Sequence, residues 1–239
     1  MVEFRDVSYR IGAKQILSHL DLAIEAGETL VLLGRSGSGK TTALKMVNGL
    51  IMPTAGLVLV EGKPTTEWNL VRLRRRIGYV IQDVGLFPHF TVAQNIGLVP
   101  RLETWEPQRI ARRTAELLAM LDLPPEQYLH RYPRELSGGQ RQRIGVARAL
   151  AADPPVLLFD EPFGALDPVT RHEIQQQFLR ISRSLGKTAI FVTHDAREGM
   201  LLGRRIGLLS AGRLETVVEP AGFMQARGAE VEAFQASLA

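Results

Sequence analysis

A glycine-rich segment, residues 34–41 (GRSGSGKT), constrains the fold of this 239-residue chain more than any other feature. The uninterrupted apolar run just before it, residues 29–33, is typical of a strand that is covered on both faces. Residues 42–50, which follow it, have the apolar spacing of a helix that ends near Gly49. The segment is therefore predicted to join a buried strand to a helix N-terminus, the connection in which such a loop binds phosphate.

The residues of this loop suit a nucleotide phosphate. Its glycines let the backbone turn tightly and aim N–H groups at phosphate oxygens. Lys40 can supply a point charge to the β- and γ-phosphates, and the hydroxyl of Thr41 can bind Mg²⁺. A flexible turn without a ligand is the alternative, and the strand-to-helix context argues against it. The predicted ATP-binding residues of the loop are Gly34, Arg35, Ser36, Gly37, Ser38, Gly39, Lys40, Thr41 and Thr42.

A second apolar run, residues 156–159, ends in two adjacent acidic residues, Asp160 and Glu161. A carboxylate at the end of such a strand suits Mg²⁺, so Asp160 is predicted to bind the metal directly or through water. Glu161 is predicted to be the general base that polarises the attacking water. A solvated carboxylate pair is the common alternative where such a pair stands alone, but here it accompanies a phosphate loop.

A second candidate anion-binding helix N-terminus lies at residues 136–140, because a serine and two glycines precede a long helical pattern. One nucleotide cannot easily use two such cradles placed on different lobes. We therefore predict that the second cradle faces a nucleotide held by another chain. Its residues are Leu136, Ser137, Gly138, Gly139 and Gln140.

Strand and helix patterns alternate at both ends of the sequence around a helical middle, which predicts an α/β fold with a helical insertion in a single domain over residues 1–239. The insertion is expected over about residues 92–151 and a short helical tail over about 220–238. Residues 56–61 and 77–81 are predicted to form a strand pair that flanks a short helix. The other predicted strands are 2–9, with an irregularity, 16–24, 188–192 and a hairpin of 205–209 with 213–218; the other helices are 107–121 and 169–185.

Composition limits the remaining classes of function. The sequence has no cysteine, which excludes a disulfide framework and a thiolate metal site. Its N-terminus lacks the apolar run of a secretory signal, and no stretch approaches the ~20 apolar residues that span a bilayer. The net charge of +4 reflects arginine clusters such as residues 72–76, which lack the aromatic runs and motifs of nucleic-acid binding. We therefore expect a soluble protein with no nucleic-acid partner, which reaches a membrane only through another subunit.

The ordered motifs resemble those of the ABC-transporter ATPase family over essentially the whole chain. The resemblance identifies residues 34–41 as the Walker A motif, 136–140 as the signature and 156–160 as Walker B. It adds site residues by position: Tyr9 for stacking on adenine, Gln82 of the Q-loop for Mg²⁺ and catalysis, Asp167 of the D-loop at residues 165–167, and His194 as the switch histidine on the γ-phosphate.

The resemblance also implies a fold and a mechanism. The fold would be that of a P-loop NTPase with a mixed-sheet core, an N-terminal antiparallel β-subdomain and an inserted helical subdomain. Two ATPase subunits, as a homodimer, would close head to tail on ATP and Mg²⁺, with Lys40 of one chain and Ser137 of the other at each site. The implied partners are permease subunits and a substrate-binding protein. The subunit would lie on the cytoplasmic face of the plasma membrane, held there by the permease.

Two segments narrow the resemblance to one branch. Residues 82–96 and 163–171 are similar to importers of glycine betaine, choline, carnitine and related osmoprotectants, which predicts that class of solute. Polyamine, sulfate and amino-acid importers share these segments more loosely, and an exporter ATPase is a further alternative. A soluble ABC protein acting on DNA or ribosomes usually has a coiled-coil insertion or two fused ATPase halves, whereas this sequence has one copy of each motif.

The sequence also departs from that branch in two places. Larger members carry a C-terminal regulatory domain of paired CBS modules, whereas here a helix or two over residues 220–238 follows the last strand pattern. That form of ionic-strength sensing is therefore not expected. Arg204 stands where the family usually has an aspartate, so two adjacent arginines, Arg204 and Arg205, have to be accommodated.

Overall fold

The computed structural model describes residues 1–82, 84–164 and 166–238, apart from the side chains of residues 182–185. Its strands are β1 (Val2–Ile11), β2 (Lys14–Ile24), β3 (Thr29–Leu33), β4 (Ala55–Val60), β5 (Lys63–Pro64), β6 (Ile77–Val80), β7 (Val156–Asp160), β8 (Thr188–Thr193), β9 (Arg205–Ser210) and β10 (Arg213–Val218). Its helices are α1 (Lys40–Val47), α2 (Leu70–Arg75), α3 (Val92–Ile96), α4 (Leu98–Leu102), α5 (Pro107–Met120), α6 (Pro125–Tyr128), α7 (Gly138–Leu150), α8 (Pro168–Leu185), α9 (Ala196–Leu202), α10 (Pro220–Phe223) and α11 (Ala229–Ala236).

This chain forms two compact units. The first contains Met1–Arg74 and Lys187–Ala239, and the second contains Arg75–Gly186. The predicted α/β fold class is confirmed, because both units combine strands with helices. The helical insertion expected over residues 92–151 falls within the second unit, and its standing as a separate subdomain stays a prediction. Among the described residues, no helix has the length and apolarity that crossing a membrane requires.

In the first unit, the N-terminal strands form an antiparallel sheet in the order β2-β1-β4-β5. Alternation along β1 buries Val2, Phe4 and Val7. Between the pairs Phe4–Leu22 and Val7–Leu20, β1 advances by three residues while β2 advances by two. One extra residue is therefore accommodated in β1 near Asp6, whose φ is 49°. The irregularity predicted for this strand is confirmed.

The other strands of the first unit surround β3, which is parallel to both β8 and β9, while β9 and β10 form an antiparallel hairpin. Every residue of β3 and of β8 is buried. Strands covered on both faces favour continuous apolar sequence, as predicted for residues 29–33. Helices α10 and α11 pack against this layer, where Phe223 and Val231 are fully buried. Both helices lie within residues 220–238, where a short helical tail is predicted.

In the second unit, β6 and β7 pair in parallel from Ile77–Val156 to Val80–Phe159. Helix α7 packs so closely on β6 that a Cβ atom at Gly78 would lie 2.4 Å from the carbonyl oxygen of Ala149. Helix α8 covers β7, with the rings of Phe159 and Phe178 edge to face at a centroid distance of 4.9 Å. These contacts fix the two strands whose ends carry the predicted Q-loop and Walker B residues.

The predicted pairing of residues 56–61 with 77–81 is wrong. Strand β4 pairs with β1 and β5, whereas β6 pairs with β7. The local reason is a two-residue hairpin turn at Glu61 and Gly62, where φ is 53° and 75°, a geometry that favours tight antiparallel pairing. The short partner strand β5 was not predicted because it contains Pro64, and proline weakens a strand pattern. Helix α9 was not anticipated, although Asp195 caps its N-terminus.

Candidate nucleotide-binding site

The predicted phosphate loop joins β3 to α1 in the first unit. Lys40 is only 4% exposed. Its Nζ donates hydrogen bonds of 2.7 Å to the carbonyl of Gly34 and 2.8 Å to that of Arg35. Helix α1 begins at Lys40, two residues earlier than predicted, so Lys40 and Thr41 both lie in its first turn. The loop therefore folds around a buried ammonium group at a helix N-terminus, where an anion is favoured.

Glycine is required in this loop where neighbouring strands approach it closely. A Cβ atom at Gly34 would lie 2.2 Å from the carbonyl oxygen of Leu209 in β9. At Gly39, where φ is 103°, a Cβ atom would lie 2.7 Å from Cδ2 of Leu17 in β2. Any side chain at either position would displace the backbone or a neighbour. The loop is thus shaped by contacts from outside the motif as well as by its own sequence.

Parallel pairing brings the predicted switch histidine to the same edge as the loop. Leu33 of β3 pairs with Thr193 of β8, so Gly34 and His194 leave the sheet side by side. The Thr193 hydroxyl donates a 2.5 Å hydrogen bond to the buried carboxylate of Glu198 and accepts one of 3.0 Å from the Asp195 N–H. His194 is exposed and lies between these anchored residues.

The predicted adenine-stacking residue, Tyr9, lies on β1 and is half-buried. It pairs across the strands with Leu17, the residue whose side chain packs against Gly39. Tyr9 therefore lies close to the phosphate loop within the first unit, although its contact with adenine stays a prediction.

In the second unit, the parallel strands β6 and β7 end together. Val80 pairs with Phe159, so Gln82 follows one strand while Asp160 and Glu161 follow the other. Asp160 and Glu161 are partly exposed and Gln82 is exposed. Glu161 has a φ of 47°, a left-handed conformation that is uncommon for a non-glycine residue and is concentrated at functional sites.

Tyr79 is a site residue that the sequence interpretation missed. Its phenol donates a 3.2 Å hydrogen bond to Oδ2 of Asp160. Burial, together with the adjacent Asp160 carboxylate, raises the pKa of Tyr79 well above its ordinary value, so the phenol remains a donor at neutral pH. Tyr79 could have been found only through the pairing of β6 with β7, because β7 ends in the acidic residues Asp160 and Glu161. Tyr79 orients the carboxylate predicted to bind Mg²⁺.

The predicted signature residues form the start of α7. The Ser137 hydroxyl accepts a 3.2 Å hydrogen bond from the Gln140 N–H, and the Gln140 side chain accepts one of 2.9 Å from the Ser137 N–H. This reciprocal capping box satisfies two donors of the helix end. Gly139 permits close packing on α8, because a Cβ atom there would lie 2.5 Å from Cγ2 of Thr170. Leu136 is buried, whereas Ser137 and Gly138 are exposed.

Asp167 of the predicted D-loop caps α8. Its Oδ1 accepts hydrogen bonds from the N–H groups of Val169 and Thr170, at 3.2 and 3.0 Å. Bonds from the side chain and backbone of Thr170 hold the pKa of the Asp167 carboxyl below its usual range. Ala165, the first residue of the predicted D-loop, lies outside the described residues, as does Asp83 after Gln82.

The residues predicted to bind Mg²⁺ have suitable chemistry. Thr41, Gln82 and Asp160 offer hydroxyl, amide and carboxylate oxygens, which are the hard ligands that Mg²⁺ prefers. Mg²⁺ commonly uses one or two carboxylates together with the phosphates of its substrate. The oriented carboxylate of Asp160 fits that mode of binding.

Comparison with known proteins gives consistent results. The family model described as ABC transporter matches residues 17–164. The glycine betaine/carnitine/choline transport ATP-binding protein OpuCA of Bacillus subtilis is 52% identical over 87% of this chain and 55% of its own length. The glycine betaine uptake system ATP-binding protein YehX of Escherichia coli is 50% identical over 90% of this chain and 69% of its own. The chain thus spans about half the length of the first of these relatives.

Solved structures agree with this result. The ATP-binding cassette MJ0796, in a dimeric post-hydrolysis state bound to ADP and Pi, has a TM-score of 0.82 and is 34% identical. The alignment covers 95% of this chain and 100% of that one. The family match covers more than half of the chain and includes the phosphate loop, the signature and the strand β7. By sequence and by fold, this chain belongs to the ABC transporter family.

Proposed function

We propose that the chain is the ATP-binding and ATP-hydrolysing subunit of an ABC importer for small osmoprotectants. The observation that carries this proposal is the phosphate loop, where the buried Lys40 ammonium lies between the carbonyls of Gly34 and Arg35. These two neutral acceptors can be exchanged for phosphate oxygens, which form stronger, charge-assisted hydrogen bonds with an ammonium group. The loop is therefore suited to bind the phosphates of ATP.

The reaction that follows binding is hydrolysis of the γ-phosphate. Glu161 polarises a water molecule and accepts its proton as the water oxygen attacks the γ-phosphorus. The bond between that phosphorus and the β-phosphate oxygen breaks, which leaves ADP and phosphate. His194 contacts the γ-phosphate and Tyr9 stacks on the adenine. Thr41, Gln82 and Asp160 would hold Mg²⁺, which would supply positive charge against the phosphate oxygens.

The working form would be a pair of these chains. Ser137 and the glycines that follow it form a second helix N-terminus suited to an anion. We infer that this signature serves the nucleotide bound at Lys40 of a second copy. The dimeric state of the related cassette MJ0796 supports this inference.

The proposed solute is glycine betaine, choline or carnitine. Support comes from two relatives that are about half identical: OpuCA of Bacillus subtilis is named for all three solutes, and YehX of Escherichia coli is named for glycine betaine. The chain would act with permease subunits and a substrate-binding protein, attached by the permease to the cytoplasmic face of the membrane. Solute uptake by the transporter reconstituted with its permease and its substrate-binding protein tests this assignment, and uptake of an unrelated solute alone would overturn it.

Three substitutions test the ATP chemistry. Glu161→Gln should abolish turnover while ATP binding is kept and a dimer accumulates, because the base is lost but the phosphate loop remains. Lys40→Ala should weaken nucleotide binding itself. Ser137→Arg should impair hydrolysis at the partner's nucleotide. In mixed dimers of Ser137→Arg and wild type, a defect confined to the mutant's own Lys40 site would refute the arrangement across two chains, and wild-type turnover by Glu161→Gln would remove Glu161 from its role.

A further inference from the structure

Arg148, on the last turn of α7, binds the segment that follows Gln82. Its Nη1 donates a 2.7 Å hydrogen bond to the carbonyl of Gly85, and its Nη2 donates one of 2.7 Å to the carbonyl of Val84. A guanidinium group can hold two adjacent carbonyls at once because its donors lie in a rigid fork. Helix α7 thus carries the signature at its N-terminus and, near its C-terminus, binds Val84 and Gly85 of the segment that follows Gln82.

Van der Waals contact reinforces this grip one turn earlier in α7. A Cβ atom at Gly145 would lie 2.3 Å from Cγ1 of Val84 and 3.7 Å from its Cβ. Valine is a short, β-branched side chain with restricted rotamers, so it cannot easily swing away. Glycine at 145 is therefore what lets the segment sit directly on the helix.

The far end of the segment is also held. The side chain of Asn95, which is fully buried, accepts a hydrogen bond from the Phe87 N–H and donates to the carbonyls of Phe87, Phe90 and Thr91. Gln82 itself lies between the end of β6 at Val80 and the Arg148 contact at Val84. Backbone is thus held on both sides of Gln82, by the strand pairing of β6 before it and by the Arg148 contact at Val84 after it.

Burying the charge of Arg148 costs free energy, which indicates a role for this residue beyond stability. It is a half-buried cation, and burial lowers the pKa of its guanidinium. Its position in the last turn of α7 offsets part of this cost, because helix C-termini attract cations. Lysine would keep the charge there but could not bridge both carbonyls in the same plane.

We propose that Arg148 is a positioning residue that fixes Gln82 by holding Val84 and Gly85 on the signature helix. Gln82 and the signature then move as one body. When the signature closes on a partner's nucleotide, Gln82 in the Q-loop of the same chain is therefore displaced with it. This inference rests on the proposed function, since it assigns a linkage between two parts of the same ATPase cycle.

The first test compares Arg148→Lys with wild type in the full chain. We expect ATP affinity to change less than about twofold, because Lys40 is untouched, and kcat to fall about tenfold or more, as for a displaced catalytic group. Arg143→Lys is the matched control: it lies on the same helix, is paired with Glu173 at 3.3 Å, and should leave kcat unchanged. An unchanged kcat in Arg148→Lys would overturn the proposal.

A double-mutant cycle separates positioning from general destabilisation. If Arg148 acts through Gln82, then Arg148→Lys should lower kcat by less than about twofold in a Gln82→Ala background, since residues acting as one unit are not additive. Losses that simply multiply would show that Arg148 affects activity by another route, and would refute the proposal.

A second pair of variants keeps the test valid if Arg148→Lys folds poorly. Gly145→Ala should push Val84 off the helix and lower kcat, and Val84→Ala should restore it in the double variant by removing the clashing methyl groups. Failure of Val84→Ala to rescue kcat, with the double variant folded, would contradict the proposed contact. Failure of the proposed function is distinguishable, because wild type would then show no turnover dependent on Lys40 and Glu161.

Discussion

The ion pair between Glu28 and Arg205 offers a quantitative test of how the phosphate loop is supported. Nε of Arg205 donates a 2.5 Å hydrogen bond to Oε1 of Glu28, and its Nη2 donates one of 2.9 Å to Oε2. Glu28 is 2% exposed and directly precedes β3, the strand that leads into the loop. The same carboxylate accepts a 2.8 Å hydrogen bond from the Glu25 N–H. This pair also answers how Arg205 is accommodated beside Arg204.

The expected cost of breaking the pair follows from its burial. Removing one partner of a fully buried pair costs about 3–5 kcal/mol, whereas an exposed pair contributes about 0–1 kcal/mol. The side chain of Arg205 is 32% exposed and that of Glu28 only 3%. We therefore expect Glu28→Gln to lower the free energy of unfolding by about 2–3 kcal/mol, between these limits.

The assay is urea unfolding of the full chain, followed by fluorescence and circular dichroism. Arg204→Met is the matched control. Arg204 is adjacent to Arg205 but exposed, so its loss should change the free energy of unfolding by less than about 0.5 kcal/mol. The double variant Glu28→Met with Arg205→Met should recover part of the loss, since no unpaired charge remains. A cost for Glu28→Gln no larger than that for Arg204→Met would refute this reasoning.

Three further substitutions probe the second unit. Tyr79→Phe removes the hydrogen bond to Asp160. It should raise the Mg²⁺ concentration needed for tight ADP binding by about threefold to tenfold, as for the loss of one ordinary hydrogen bond. Titration of Mg²⁺ at fixed ADP measures this, and an equal loss of ADP affinity without Mg²⁺ would contradict it. Asn95→Ala removes four hydrogen bonds and should lower the free energy of unfolding by about 2–4 kcal/mol. The Phe87 amide loses its acceptor and should exchange its hydrogen faster, and an unchanged exchange rate would count against this prediction. Gly78→Ala would place a Cβ atom 2.4 Å from a carbonyl oxygen, so it should lower the free energy of unfolding by at least about 1–3 kcal/mol. Thermal unfolding measures this, and a neutral effect would show that α7 can move.

Much of the candidate site could be predicted from the sequence because its residues are local. The phosphate loop, the acidic end of β7 and the capped start of α7 are short segments whose glycines, charges and flanking apolar runs express their structure directly. The same reasoning placed β3 and both strands of the β9–β10 hairpin within a residue of their observed ends. The helix start at Lys40 was missed by two residues, because helix ends depend on hydrogen bonds that spacing alone does not reveal.

Contacts between residues that are distant in the sequence become visible only in the folded chain. The partners of β4, the bond from Tyr79 to Asp160 and the grip of Arg148 on Val84 join residues that are far apart in the chain and carry no joint pattern. Arg205 likewise finds its carboxylate 177 residues away, at Glu28. The site chemistry proposed for this protein can be inferred from the sequence alone, because each motif is a run of neighbouring residues. Only folding determined how that chemistry is held, because strand order and helix packing choose the neighbours of each side chain.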